Sequence, residues 1–278
     1  MDGTENVDVI VLPGMEPGWL IGGAGDFDSN GTTDILWYHG GSRTARIWLM
    51  GEFAGHGEFD LRLPAGWVVA GVGDFNGDGR HEFAIWNRSR HIKIWGLNGE
   101  LVRLARISIR PQREIAGFGD IDGNGSDDII VQDRRKLRIE ASLMSSDFSS
   151  RRALLDKQRA ALWDVIDISD HDGDGRSDLL WRELSSGAPG SAGVSNLSSS
   201  LALSGNPLDL DLGVDHSVLG SADFDGDGST DLLVFNPETR ELVLWLMDGA
   251  GAHRFESLGT LAPDWFPAGF NTDDAANR

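Results

Sequence analysis

Short runs of branched aliphatic and aromatic residues recur along the chain, and glycine-rich turns separate them. The clearest set lies at residues 67–112, where WVVAGVG, EFAIWN, HIKIWGLNG and ELVRLARISI follow one another. Such runs, bounded by Gly, Asn and Asp, are typical of antiparallel strands joined by tight turns. The pattern therefore predicts four strands for this segment.

The four-run pattern repeats along the chain, and each copy contains one polar loop. The loops begin at Asp26, Asp74, Asp120, Asp170 and Asp223, at steps of 48, 46, 50 and 53 residues. A period in this range is typical of repeat folds whose units cannot bury a hydrophobic face alone. We predict an all-β fold, a single β-propeller domain of four-stranded antiparallel blades over residues 1–278, with repeats at about 19–66, 67–112, 113–162, 163–215 and 216–264.

In four of the five repeats the strand before the loop is rich in small residues, as in GGAG at residues 22–25, whereas the fourth repeat has Asp167 and Ser169 there. Later strands carry bulky residues such as Trp48 and Trp95. Strands that converge around a central axis pack their backbones closely, which only small side chains permit. A gradient from small inside to large outside is what wedge-shaped propeller blades require. The Trp residues are therefore expected mainly in the blade core.

The two ends of the chain look like parts of one further unit. Residues 7–12 resemble the last strand of a unit, and residues 265–270 resemble the first strand. We expect five or six blades, with these terminal strands either closing the ring or pairing between chains in a homo-oligomer. Two local predictions accompany this one: a short helix at residues 151–162 and an irregular outer edge in the Ser/Gly-rich tract at 184–204.

Each loop has side-chain oxygens at its positions 1, 3, 5 and 9 and Gly at position 6. Alternate residues of a tight turn direct oxygens towards one centre, and Gly permits the sharp reversal. The backbone carbonyl at position 7 would add another ligand. Hard oxygen donors in this number suit Ca²⁺, whereas Mg²⁺ prefers fewer protein ligands and retained water. About five Ca²⁺ sites are therefore predicted.

An EF-hand is the competing interpretation of these loops. It requires a bidentate Glu at position 12, followed by a helix. Position 12 here lies inside strand-like runs and is occupied by Trp37, Ile85, Val131, Trp181 and Val234. A calcium loop between two strands fits the sequence, and an EF-hand does not.

The segment GVGDFNGDG at residues 71–79, followed by an acid and an aliphatic strand, resembles the FG-GAP/VCBS repeat family. These β-propellers include the integrin α-subunit head. The resemblance implies Ca²⁺ in the hairpin between the first two strands of each blade, and an extracellular adhesion or ligand-binding role. Carried over by position, the implied ligands are Asp26, Asp28, Asn30 and Asp34; Asp74, Asn76, Asp78 and Glu82; Asp120, Asp122, Asn124 and Asp128; Asp170, Asp172, Asp174 and Asp178; and Asp223, Asp225, Asp227 and Asp231. Glu82 departs from the usual Asp by one methylene, which is expected to alter the geometry of that site.

The formal charge of −20 argues against nucleic acid and acidic membrane surfaces as partners. Five divalent cations would halve that charge, so it indicates metal loading first. The chain has no Cys for disulfides or thiolate chemistry, and no apolar run long enough to span a membrane. Residues 1–14 lack the features of a signal peptide, so the expected extracellular or cell-surface location rests on the resemblance.

Catalytic signatures such as G-x-S-x-G, H-E-x-x-H and a phosphate loop do not occur in the sequence. We therefore expect a non-enzymatic recognition or adhesion module in which the ions are structural, with a protein or carbohydrate ligand. One alternative is a lectin with aromatic pockets between blades formed by Trp67, Trp163 and Trp265. Another is a part, catalytic or not, of a polysaccharide-degrading enzyme.

Overall fold

The computed structural model describes residues 15–51, 57–88, 90–111, 113–156, 163–183, 191–195, 197, 201, 208–211, 216–248 and 252–263. The described residues form β-strands joined by turns, with no helix among them. Within them, no helix is long and apolar enough to cross a membrane. The prediction of an all-β fold is confirmed.

The strands form five antiparallel four-stranded sheets, each with its strands in chain order. The structure divides into two compact units, of which the N-terminal unit comprises Pro13–Asp120 and Asn124–Lys157. The first sheet of this unit contains β1 (Trp19–Gly25), β2 (Asp34–His39), β3 (Thr44–Trp48) and β4 (Glu58–Arg62). The second contains β5 (Val68–Gly73), β6 (Glu82–Trp86), β7 (His91–Leu97) and β8 (Leu101–Ser108). The third contains β9 (Glu114–Gly119), β10 (Asp128–Asp133), β11 (Arg138–Met144) and β12 (Ser150–Asp156).

The C-terminal unit comprises Ile121–Gly123 and the described residues that follow Gln158. Its fourth sheet contains β13 (Trp163–Ser169), β14 (Asp178–Glu183), β15 (Ser191–Ser195) and β16 (Leu208–Asp211). Its fifth sheet contains β17 (Ser217–Ala222), β18 (Asp231–Asn236), β19 (Glu241–Met247) and β20 (Ala252–Thr260). The five sheets correspond to the five predicted repeats, and their meander order is that of propeller blades.

A bulge interrupts the pairing of the first two strands in all five sheets. In β1 the register shifts between Ile21 and Gly23, and in β5 it shifts between Val69 and Gly71. The corresponding shifts in the other sheets lie at the same point of the first strand. A bulge increases the local twist of a strand, so the first strand of each repeat is bent in the same way.

Close packing of the first strands explains their small residues. A Cβ atom on Gly23 would lie 2.5 Å from Val72 Cγ2 of the next sheet, and one on Gly71 would lie 2.7 Å from Phe118 Cε2. Both glycines also have a left-handed φ, 147° and 146°. The sequence prediction that only small residues fit at these inner positions is confirmed here.

The hydrophobic core lies between neighbouring sheets. Phe27 of the first loop and Leu36 and Ile47 of the first sheet pack with Phe83 and Ile85 of the second. A similar cluster joins the second and third sheets, and another joins the fourth and fifth. The prediction that Trp residues belong to the blade core holds for those that are at most 8 % exposed: Trp48, Trp181 and Trp245.

One secondary-structure prediction is wrong, and others fall outside the described residues. Residues 150–156 form strand β12 and not the start of a helix, because pairing with β11 overrides the local helical preference. The predicted terminal strands at residues 7–12 and 265–270 lie outside the described part of the chain. The same is true of much of the tract at 184–204, where β15 is described. The single-domain prediction stays a prediction.

Candidate metal centres

The five acidic loops connect the first two strands of their sheets, as the sequence predicts. Their ninth residue begins the second strand, so the loop leads into a strand and not into a helix. Position 12, for example Trp37 in β2 and Ile85 in β6, lies within that strand. The rejection of an EF-hand is confirmed by this strand-loop-strand geometry.

The acid at position 1 organises the backbone of its own loop. In the fourth loop, Asp170 Oδ1 accepts hydrogen bonds from the N–H groups of Gly173 (2.8 Å) and Asp174 (3.1 Å), and its Oδ2 accepts one from Gly175 (2.8 Å). Asp26, Asp74, Asp120 and Asp223 accept corresponding bonds in their loops. The carboxylate therefore stabilises the sharp reversal directly.

In the first loop, the hydrogen bonds to Asp26 at position 1 also lower the pKa of its carboxyl group. Burial by itself raises the pKa of Asp26, but the hydrogen bonds from the Gly31 and Asn30 backbones outweigh that effect. The pKa of Asp26 therefore lies below its usual value. This carboxylate is held in its ionised form.

The acid at position 9 is at most 2 % exposed in all five loops. In the first loop, Asp34 Oδ2 accepts from Phe27 N–H (2.8 Å) and Oδ1 accepts from Met50 N–H (2.7 Å). Phe27 belongs to the same loop, whereas Met50 follows the third strand of the sheet. One carboxylate thus joins the loop to the far end of β3. In three other loops the position-9 carboxylate accepts the equivalent hydrogen bond from a backbone N–H at the end of the third strand. The pairs are Met144 to Asp128 (2.6 Å), Leu197 to Asp178 (2.9 Å) and Met247 to Asp231 (2.8 Å).

Four of the five buried position-9 acids have a raised pKa in the absence of a cation. Burial raises the pKa of Asp34, and the charges of Asp28 and Asp26 raise it further. Burial likewise raises the pKa of Asp231, of Asp178 to about 7 and of Glu82 to about 8. A bound cation would offset both the burial and the repulsion between neighbouring carboxylates.

Carboxylates from positions 1, 3 and 9 meet in four of the five loops. One ligand atom from each lies within 4.8 Å of the others in groups that could hold a metal ion. The groups are Asp26, Asp28 and Asp34; Asp120, Asp122 and Asp128; Asp170, Asp172 and Asp178; and Asp223, Asp225 and Asp231. Three oxygen donors this close fit a hard divalent cation.

Position 5 lies outside these groups, although the sequence predicts a ligand there. Its side-chain oxygen accepts a hydrogen bond from the N–H of position 7, as in Asn30 with Thr32 (2.7 Å) and Asp227 with Ser229 (2.7 Å). In the first loop, Asn30 Nδ2 also donates to Met50 O at 2.9 Å. The ligand role of position 5 therefore stays a prediction.

The second loop differs from the other four and is not among the grouped carboxylates. Its third position is Asn76 and its ninth is Glu82. Glu82 Oε2 accepts from Phe75 N–H at 3.1 Å, but no described third-strand amide donates to its other oxygen. The longer Glu side chain thus occupies the Asp position without accepting the hydrogen bond from the third strand, in agreement with the expected change of geometry.

Hydrogen bonds between neighbouring loops were not predicted from the sequence. The N–H of position 8 donates to the carbonyl of position 1 in the preceding loop, as in His81 to Asp26 (2.8 Å) and Thr230 to Asp170 (2.7 Å). Asp127 donates to Asp74 in the same way (2.7 Å). Any residue except Pro has the required N–H, so no side-chain pattern reveals these bonds. They connect successive candidate metal centres within each unit.

Comparisons with known proteins agree with this geometry. Residues 26–85 match the model of the FG-GAP-like repeat, which confirms the resemblance for that part of the chain. The chain is also similar to a crystal structure of a protein from Lactobacillus plantarum, a structural-genomics target, with a TM-score of 0.52 and 9 % identity. That similarity covers 85 % of this chain and 70 % of the other, and at this identity it shows the fold alone. No curated protein sequence matches the chain.

The sheets and the comparisons together define the class of the protein. It is an all-β protein of β-propeller type, built from antiparallel four-stranded sheets. It carries an FG-GAP-like repeat at residues 26–85, and repeats of this kind indicate a module for recognition or binding.

Proposed function

We propose that the protein is a calcium-stabilised recognition or adhesion module that acts outside the cell and has no catalytic activity of its own. The observation that carries this proposal is the convergence of carboxylates from the same three positions in the first, third, fourth and fifth loops. In each of these loops the position-9 carboxylate also ties the first hairpin to the third strand. A cation held there would stabilise three strands of a sheet at once.

Calcium is the ion that this donor set favours. All the donors are oxygens, and those at positions 1 and 3 are partly or fully exposed whereas the one at position 9 is buried. Ca²⁺ accepts six to eight oxygens in flexible geometry, whereas Mg²⁺ demands a tight octahedron and keeps several waters. Repeats of this family are typical of extracellular proteins, where Ca²⁺ is abundant.

The ions are proposed to be structural and not sites where a ligand meets the metal. For a dissociation constant of about 10⁻⁵ M, millimolar Ca²⁺ would stabilise each loop by roughly 2.7 kcal/mol. Several such sites would contribute as much as the whole stability of an ordinary domain, about 5–15 kcal/mol. Ligand recognition is then expected on the faces of the sheets.

The proposal is tested by thermal unfolding of the purified chain in 1 mM CaCl₂, in 1 mM MgCl₂ and in excess EDTA. Transfer from CaCl₂ to EDTA is expected to lower the melting temperature by at least about 5 °C, since 1 kcal/mol corresponds to about 2–4 °C in a protein of this size. Mg²⁺ should restore little of the loss. Identical melting curves in CaCl₂ and EDTA would contradict the structural role of the ion.

A further inference from the structure

A basic segment interrupts this acidic chain in the second sheet. Residues 88–110 contain six Arg and Lys residues, and Glu100 is the one acid among them. The whole chain, by contrast, has a formal charge of −20. The segment covers the outer two strands of the sheet, β7 and β8.

Strand register places three of these six basic side chains, together with His91, on one face. His91 pairs with Ser108, Lys93 with Arg106, and Trp95 with Arg103 across β7 and β8. Directly paired residues in an antiparallel sheet point to the same side, with Cβ atoms about 5 Å apart. His91, Lys93, Arg103 and Arg106 therefore form a continuous surface, here called the basic face.

An indole ring holds the central cation of the basic face. Lys93 Nζ lies over the ring of Trp67, 4.1 Å from its centroid. Trp67 itself packs against the core between the first and second sheets, and this packing holds its ring in place. A cation above a tryptophan ring is attracted by the ring quadrupole, which fixes the ammonium group of Lys93 beside the two arginines.

The basic face lacks a charge partner within the described part of the chain. No ion pair or hydrogen bond from the side chains of Lys93, Arg103 or Arg106 is formed there, and Ser108 is the hydrogen-bond partner of the His91 ring. Burial lowers the pKa of Lys93, and the charges of Arg103 and Arg106 lower it further. Because these cations repel one another, binding of an anion from outside the chain would be favourable.

Protection of a sheet edge is the simpler explanation for exposed arginines. Charges on an outer strand discourage pairing with other chains, and β8 is the outer strand of its sheet. This accounts for Arg103 and Arg106. It does not account for Lys93, which lies on the inner neighbour β7 and is held by Trp67.

We propose that the basic face binds an acidic polysaccharide that carries carboxylate or sulfate groups. Arginine forks bind such groups in bidentate geometry, and the adjoining indole offers apolar surface for a sugar ring. The limited size of the basic face and the acidic remainder of the chain disfavour nucleic acid, which requires an extended basic surface. This inference rests on the proposed recognition role and names its ligand class.

The test compares two double variants with the same change in charge. Lys93→Glu/Arg106→Glu reverses the basic face, and Arg135→Glu/Lys136→Glu reverses an exposed turn of the third sheet. Binding of heparin and hyaluronate oligosaccharides is measured by calorimetry in CaCl₂, with neutral dextran, polyglutamate and single-stranded DNA as comparison ligands. Arg106→Gln serves as a milder variant, and unfolding curves establish that each variant is folded.

The expected result is that wild type binds at least one of the two acidic oligosaccharides, that the basic-face variant binds at least tenfold more weakly, and that the turn variant is unchanged. Arg106→Gln should lie between wild type and the double variant. Absence of oligosaccharide binding by wild type, or equal loss in both double variants, would overturn the proposal. Binding of polyglutamate or DNA at least as tight as that of the oligosaccharides would overturn the assignment to polysaccharide. None of these outcomes depends on the calcium-dependent melting that tests the proposed function.

Discussion

Asp74 and Asp127 are joined by two hydrogen bonds that run in opposite directions. The N–H of Asp127 donates to the carbonyl of Asp74 at 2.7 Å, and the N–H of Asp74 donates to Asp127 Oδ2 at 2.8 Å. Asp74 opens the second loop and Asp127 is the eighth residue of the third, so this pair couples two candidate metal centres. The contact is partly buried, and burial raises the pKa of Asp127 to about 6.

Replacement of Asp127 by Ala is expected to lower the free energy of unfolding by about 1–3 kcal/mol, because the N–H of Asp74 loses its acceptor in a partly buried place. Asp127→Asn keeps an oxygen at that position and should lie within about 1 kcal/mol of wild type. Urea unfolding in CaCl₂ measures both. Equal losses in the two variants would show that the charge and not the hydrogen bond is important.

Two glycines of the second loop provide a matched test of the contact between loops. A Cβ on Gly77 would lie 2.6 Å from the carbonyl oxygen of Gly125 in the third loop, whereas one on Gly79 would meet nothing within 4 Å. Both have positive φ, 69° and 83°, so each change to Ala costs about 1–2 kcal/mol in backbone strain. Gly77→Ala should cost about 1–3 kcal/mol more than Gly79→Ala. Similar unfolding free energies for the two variants would contradict the close approach of the loops.

Variants of Asp225 and Asp231 should distinguish the effect of metal binding from the effect of the hydrogen bonds that Asp231 accepts. Asp225 is exposed, and its Oδ1 accepts from Asp227 N–H, a bond that Asn can also accept. Asp231 accepts from both Phe224 and Met247 (2.8 Å each), and Asn can accept only one of these. In EDTA, Asp225→Asn should unfold like wild type and Asp231→Asn should be about 1–3 kcal/mol less stable.

In CaCl₂ both variants are expected to lose part of the calcium-dependent stabilisation, by up to roughly 2.7 kcal/mol for the affected loop. Unfolding in EDTA and in CaCl₂ gives the two contributions separately. If Asp225→Asn retained the full response to Ca²⁺, position 3 would not be a ligand in this loop.

The chelated protein should become less stable as the pH rises. Burial raises the pKa of Glu82 to about 8, from an ordinary value of 4.5. Between these two values the folded chain keeps a proton that the unfolded chain releases, so the free energy of unfolding falls as the pH increases towards 8. Unfolding in EDTA at several pH values measures this slope, and Glu82→Gln should flatten it. A stability that rises through this range, with no change in the variant, would contradict the burial of a protonated Glu82.

Local residue pattern was sufficient to predict most of the fold. The five loops and the strands around them were predicted from alternating apolar runs and glycines, because strand pairing and sharp turns depend on neighbouring residues. The helix predicted at residues 151–162 is wrong over residues 151–156 because Ser150–Asp156 pair with β11. That pairing is a contact between strands, and a local preference does not detect it.

The sequence by itself determined the repeat, the strand-loop-strand units and the oxygen-rich loops, since each depends on residues close together in the chain. Only the tertiary structure decided which oxygens meet. It brought positions 1, 3 and 9 together, tied position 9 to the amide of Met50 and its equivalents, and linked Asp74 to Asp127. It also gathered Lys93, Arg106 and Trp67 on one face. These contacts depend on strand register and on the packing of one sheet against the next, and residue order alone specifies neither.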